Sequence, residues 1–104
     1  MNIEVIRKSC AEDNIQWSLH ALKRMRERKI TSSEIISCIE NGDIIEEYPD
    51  DRPLPSCLIY GVVTNRNLHT VVGIGKNYIS IITAYEPDSQ EWKSDFKTRK
   101  ESII

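Results

Sequence analysis

The stretch CLIYGVVTNRNLHTVVGIGKNYISIITAY, residues 57–85, decides the fold. Its β-branched and aromatic residues fall into three runs, Cys57–Thr64, Leu68–Ile74 and Tyr78–Tyr85, parted by the turns Asn65-Arg66-Asn67 and Gly75-Lys76-Asn77. Turns this short join antiparallel neighbours, because a parallel crossover needs about a dozen residues or more. A fourth run, Asp43–Tyr48, precedes a loop with Pro49, Pro53 and Pro55 and is expected to complete a four-stranded antiparallel meander.

Upstream of Gly42 the period is helical. Ile3, Ile6 and Cys10 share one helical face, so a short amphipathic helix is expected over residues 2–11, closed by Asp13 and Asn14. Ile15-Gln16-Trp17 is a brief extended step. Ser18 then offers its hydroxyl as the N-cap of a second helix running to about Arg28. Thr31-Ser-Ser-Glu34 is a capping box for a third, which Ile35, Ile36 and Ile39 bury and Asn41-Gly42 ends through glycine's tolerance of the left-handed conformation. After the sheet, Trp92 and Phe96 are spaced to lay one face of a C-terminal helix onto the domain, with residues 101–104 fraying. The expected architecture is thus a single α+β domain: N-terminal helices, four antiparallel strands, C-terminal helix.

The 104 residues suit one modest core, and no apolar run reaches the roughly 18 residues that a membrane span requires. Nothing near the N-terminus resembles a signal peptide, so a cytoplasmic location is expected. Cys10, Cys38 and Cys57 are odd in number and lack C-x-x-C spacing; they read as reduced, mostly buried thiols rather than disulfides or zinc ligands. No nucleophile elbow, P-loop or dinucleotide fingerprint is present, and no cofactor is expected.

Net charge is −2, but it is unevenly spread. Lys23–Lys29 holds five basic residues and one acidic, whereas Glu40–Asp51 holds six acidic residues and no base. Lys93–Lys100 is a second basic stretch, net +3. At about 100° per residue, Leu19, Ala21, Leu22 and Met25 fall on one side of the second helix and His20, Lys23, Arg24, Glu27 and Arg28 on the other. Arg26 falls among the apolar residues and must snorkel. His20, Arg24 and Arg28 line up at successive helical turns, an imidazole beside two guanidiniums. The bland reading is a solvated face. Against it stands Arg24 with Arg28, a like-charge pair that weakens a helix unless an anion uses it.

The only other histidine, His69, shares a strand face with Val71, and Thr83 shares one with Ile81 and Tyr85. Glu46, Glu47, Asp50 and Asp51 read as solvated surface.

These landmarks together resemble a known family. His20-Ala21-x-x-Arg24-Met25-x-x-Arg28-x-Ile30, Asn41-Gly42, Ile44-Ile45-Glu46-Glu47-Tyr48-Pro49-Asp50-Asp51, Leu68-His69-x-Val71-Val72 and Ile81-Ile82-Thr83-x-Tyr85-Glu86-Pro87-Asp88 with Trp92 resemble the prokaryotic domain of unknown function 4258 over about residues 14–100. The resemblance implies a toxin-type domain akin to the barnase, colicin and RelE-like ribonucleases, with a small zinc-finger antitoxin-like protein as partner. It implies functional residues at His20, Arg24, Arg28, His69, Thr83 and Tyr85. It also places glycine where this chain has Lys29, which bears on the turn after the helix.

Two functions are therefore expected. In the first, a metal-independent endoribonuclease toxin acts on an RNA substrate: one histidine takes the ribose 2′-hydroxyl proton, the other protonates the leaving oxygen, Arg24 and Arg28 stabilise the phosphorane, and Thr83 and Tyr85 orient the phosphate. In the second, a non-catalytic module binds RNA or a protein partner through the basic helix face. Histidines converging within about 10 Å around a basic cleft would favour the first, and histidines on opposite sides of the sheet the second.

Overall fold

The computed structural model describes residues 1–101; residues 102–104, part of the expected frayed end, lie outside that range. Three helices, α1 (Ile3–Ala11), α2 (Leu19–Arg28) and α3 (Ser32–Asn41), cover one face of a five-stranded sheet. Its strands are β1 (Ile15–Trp17), β2 (Asp43–Tyr48), β3 (Ser56–Val63), β4 (Arg66–Ile74) and β5 (Ile79–Tyr85), in the order β1-β5-β4-β3-β2. Among the described residues no helix is long and apolar enough to cross a membrane.

The local signals act as expected. Ser18 accepts from the Ala21 N–H, and Thr31 and Glu34 close a reciprocal capping box. Lys29 ends α2 in the left-handed conformation, φ 55°, which glycine would adopt at no steric cost. Gly42 has a different reason to be glycine. Its φ is −94°, ordinary extended backbone, but a Cβ there would stand 2.3 Å from the Tyr60 carbonyl oxygen and 2.4 Å from that of Cys38. The close approach of α3 to β3 excludes a side chain.

Two parts of the expected architecture are corrected. The sheet is not a four-stranded antiparallel meander but a five-stranded mixed sheet, because Ile15–Trp17 pairs in parallel with Ile79–Ile81. A three-residue strand is too short to show a period, and its partner lies at the far end of the chain. Among the described residues there is also no C-terminal helix. The Asp95 carboxylate accepts from the N–H groups of Lys97 and Thr98, and Phe96 takes a φ of 55°, which together turn the chain where a helix would continue. The segment after Pro87 folds instead as a strap, pinched by a bridge between Trp92 and Arg99.

The helix-side core gathers Ile6, Cys10, Ala21, Met25, Ile35, Cys38 and Ile39 against Cys57, Ile59, Leu68, Val72, Ile79, Ile81 and Ala84. The three cysteines are free and buried. Leu19 and Leu22 depart from the angular expectation: Leu19 is 87% exposed and Leu22 43%. Of the apolar residues of α2 only Ala21 and Met25 are buried, so the rest of its apolar arc faces outward.

Two bulges set the opposite face. The register slips between Ile44 and Glu46 on β2, and Ile82 is an extra residue between the pairs Val72–Ile81 and Val71–Thr83. Ile81 therefore lies in the helix-side core, while Thr83 and Tyr85, flanking buried Ala84, face the other way. The expectation that Ile81, Thr83 and Tyr85 share a face fails at this bulge. Two rows cross the helix-free face: Asp43, Tyr60, His69 and Tyr85, then Glu46, Leu58, Val71 and Thr83.

Candidate functional site

The basic flank of α2 meets the sheet at its open edge. Because β1 pairs only with Ile79–Ile81, the later part of β5 has no strand beyond it. Arg28 fills that gap: its Nη1 donates to the Ala84 carbonyl at 2.8 Å and to Thr83 Oγ1 at 3.1 Å. One guanidinium thus joins the helix side of the sheet to the opposite face. Arg24, one turn back, pairs with Glu27 at 3.0 Å in a partly exposed contact, and His20 stands exposed a further turn along.

The corner below Arg28 is braced by Arg66. Its Nη1 donates to the Lys29 carbonyl at 2.9 Å and pairs with Glu34, while its Nε donates to Glu86 at 2.9 Å. The Thr31 N–H, and against partial desolvation the Arg66 charge, hold the Glu34 carboxyl below its ordinary value. Arg66→Ala is expected to cost about 1–2 kcal/mol, since it strips charge-assisted bonds from a half-buried corner. A thermal melt checks this, an unchanged midpoint being the contrary result.

His69 lies on the helix-free face and is fully buried. Its Nε2 is 2.7 Å from the Phe96 carbonyl oxygen, which can only accept, so Nε2 carries the proton. Its Nδ1 is left to accept from the Tyr85 hydroxyl at 3.4 Å. Trp92 stands edge-on to the imidazole, ring centres 4.5 Å apart, with Tyr85 and Tyr60 at 5.4 and 5.7 Å. Burial outweighs the Phe96 bond and the Glu46 charge and pushes the imidazole below its ordinary pKa, so the ring is neutral.

The unfolded chain binds a proton at His69 near its ordinary value of about 6.5, and the folded chain only at lower pH, so the unfolded state gains on acidification. Stability is complete above that value and lost as pH falls through the folded one. The melting temperature is expected to drop from pH 7.5 to 5.5 in the native chain and less in His69→Gln; equal drops would contradict this.

The structure joins four of the six expected site residues around the edge of β5: Arg28 touches Thr83, Thr83 shares a face with Tyr85, and Tyr85 touches His69. Arg24 and His20 extend the line along α2, His20 about 12 Å from Arg28 at 1.5 Å rise per residue. The two histidines are not brought together. His20 belongs to the helix layer and His69 to the face opposite it.

One group of that face was not expected from sequence. Glu46, read as solvated surface, is half-buried and bound by Arg99 through both carboxylate oxygens, at 2.8 and 3.1 Å, with the Tyr48 hydroxyl donating to it as well. Desolvation would raise its carboxyl, but the Arg99 and Tyr48 bonds and the Arg99 charge hold it below the ordinary value. Among the described residues no cluster of His, Cys, Asp or Glu could hold a metal.

A family model described as domain of unknown function, DUF4258, matches residues 17–86. The chain belongs to this family. No curated protein and no solved structure matches it. The DUF4258 match opens at the end of β1 and closes at Glu86, directly after β5, so α2, α3 and strands β2 to β5 fall inside it. Every one of the six expected site residues falls within the DUF4258 region, whereas α1 and the strap fall outside it.

Proposed function

We propose that the chain binds RNA through the flank of α2 that carries His20, Arg24 and Arg28, together with Thr83 at the open edge of β5. Arg28 carries the reading. Its guanidinium spends one nitrogen on Ala84 and Thr83, and no carboxylate pairs with it among the described residues. The rest of its fork is left to take a phosphate. The Arg24–Glu27 pair is exposed enough to exchange Glu27 for a phosphate at little cost. RNA is the polyanion that the resemblance to toxin-type ribonucleases supports.

With a net charge of −2, attraction comes from this flank and not from the whole protein. Affinity for single-stranded RNA in the range of about 1–100 µM at physiological salt, tightening steeply as salt is lowered, is the expected result. Fluorescence anisotropy with a labelled oligoribonucleotide measures it; no binding even at low salt would remove the reading.

A second reading, a metal-independent endoribonuclease with a small zinc-finger-type antitoxin as partner, is favoured by the contiguity of Arg28, Thr83, Tyr85 and His69. It stands second because His20 and His69 lie on opposite sides of the sheet and cannot serve as one acid–base pair. Incubation of RNA with the protein in EDTA tests it: fragments ending in cyclic phosphate support it, and intact RNA at high protein concentration opposes it.

A further inference from the structure

The strap over the helix-free face is built unlike the rest of the molecule. Its backbone bonds are its own: Trp92 to Asp88, Lys93 to Thr98, Phe96 to Lys93 and Lys100 to Glu91. What ties it to the sheet is side-chain chemistry, namely His69 to the Phe96 carbonyl, Arg99 to Glu46, and Lys97 to Asp43 at 3.6 Å. Trp92, 1% exposed, fills the space between, with Arg99 stacked 4.5 Å above its ring. Such a unit can lift without breaking a sheet hydrogen bond. It also starts where the family domain stops, at Pro87.

What it covers is not a plain apolar face. The Glu46 carboxylate, a proton acceptor, and the His69 imidazole, which can hold or release one, are each occupied by a group of the strap, Arg99 and the Phe96 carbonyl.

We propose that Asp88–Lys100 is an autoinhibitory strap that masks a second acid–base pair, Glu46 and His69, on the face that Thr83 and Tyr85 share. This rests on the endoribonuclease reading and supplies the pair that His20 and His69 cannot form. With the strap lifted, Glu46 takes the proton of the ribose 2′-hydroxyl as that oxygen bonds to phosphorus. The bond from phosphorus to the 5′-oxygen breaks, and the leaving oxygen takes a proton from His69 in its imidazolium form. The products are a 2′,3′-cyclic phosphate and a free 5′-hydroxyl; the proton on Glu46 returns through solvent to His69. While the strap is down, burial keeps His69 neutral and unable to donate.

The test uses the full chain with Arg99→Glu, which sets a carboxylate against Glu46, and with Trp92→Ala as the second opening variant. Diethylpyrocarbonate acylates exposed imidazoles, and exposed His20 is the internal standard. In the native chain His20 is expected to react and His69 to be protected. In either opening variant that keeps its circular dichroism, His69 is expected to react at least tenfold faster and cleavage of RNA in EDTA to rise at least tenfold. Adding Glu46→Gln to Trp92→Ala should remove that gain. The proposal is overturned if His69 becomes reactive without a rise in cleavage, if it stays protected in both variants, or if the native chain cleaves as fast with His69 protected. Variants that bind RNA but do not cut it would sink the endoribonuclease reading together with the strap proposal, whereas a native chain that cleaves with His69 protected would sink the strap proposal alone. Absence of binding in every form would sink the RNA reading with it.

Discussion

Replacing Arg24 and Arg28 together by alanine is expected to weaken RNA binding about a hundredfold at low salt, from the loss of about 3 kcal/mol of charge-assisted contact. The salt dependence should flatten with it. Each phosphate contact on a single strand contributes about 0.7 to the slope of log affinity against log salt, so two lost contacts reduce it by about 1.4. Folding should be nearly unaffected, since Arg28 leaves the Ala84 carbonyl at an open edge where water replaces it. Lys93→Ala with Lys100→Ala removes the same charge from the exposed surface of the strap. That control is expected to change affinity severalfold at most. A control as damaging as the arginine pair would mean that binding follows net charge alone.

Gly42→Ala is expected to be the most damaging single-methyl change in the fold. The added carbon would lie within 2.3 and 2.4 Å of two backbone oxygens, those of Tyr60 and Cys38, and neither belongs to a side chain that could swing away. Relief requires α3 to move off β3 at Tyr60 and its last turn to open at Cys38, which disturbs the packing of Cys38 and Ile39 over the centre of the sheet. Overpacking of this kind costs about 3 kcal/mol, or roughly 12–24 °C in melting temperature for a domain of this size. Alanine fits the backbone angles of this position, so conformation gives no reason for loss. A midpoint within a few degrees of the native chain would show that α3 and β3 are not held so close.

What could be read from sequence was local. The starts of α2 and α3 are written in Ser18, Thr31 and Glu34, whose side chains bond backbone groups three residues away. The runs of β-branched and aromatic residues and the short turns on either side of β4 marked the antiparallel part of the sheet. What could not be read depends on distant partners. Ile15–Trp17 becomes a strand only because Ile79–Ile81 lies beside it. Trp92 and Phe96 have helical spacing, yet the Asp95 turn between them sends Trp92 into the sheet and the Phe96 carbonyl to His69. The site divides in the same way. Angles on α2 put His20, Arg24 and Arg28 on one side of the helix, but no local pattern tells that Arg28 reaches round to Thr83. Glu46 was hidden in an acidic run; its one distinguishing sign is the basic tail able to neutralise it, and only folding selects Arg99.

Where RNA touches the protein decides whether the flank of α2 is its binding surface. Titration of the isotopically labelled chain with a short single-stranded RNA, followed residue by residue through its amide NMR signals, locates the contact. Shifts are expected to concentrate on residues 19–28 of α2 and residues 82–85 of β5 and to weaken as salt is raised. Shifts confined to residues 93–100, or none at low salt, would contradict this.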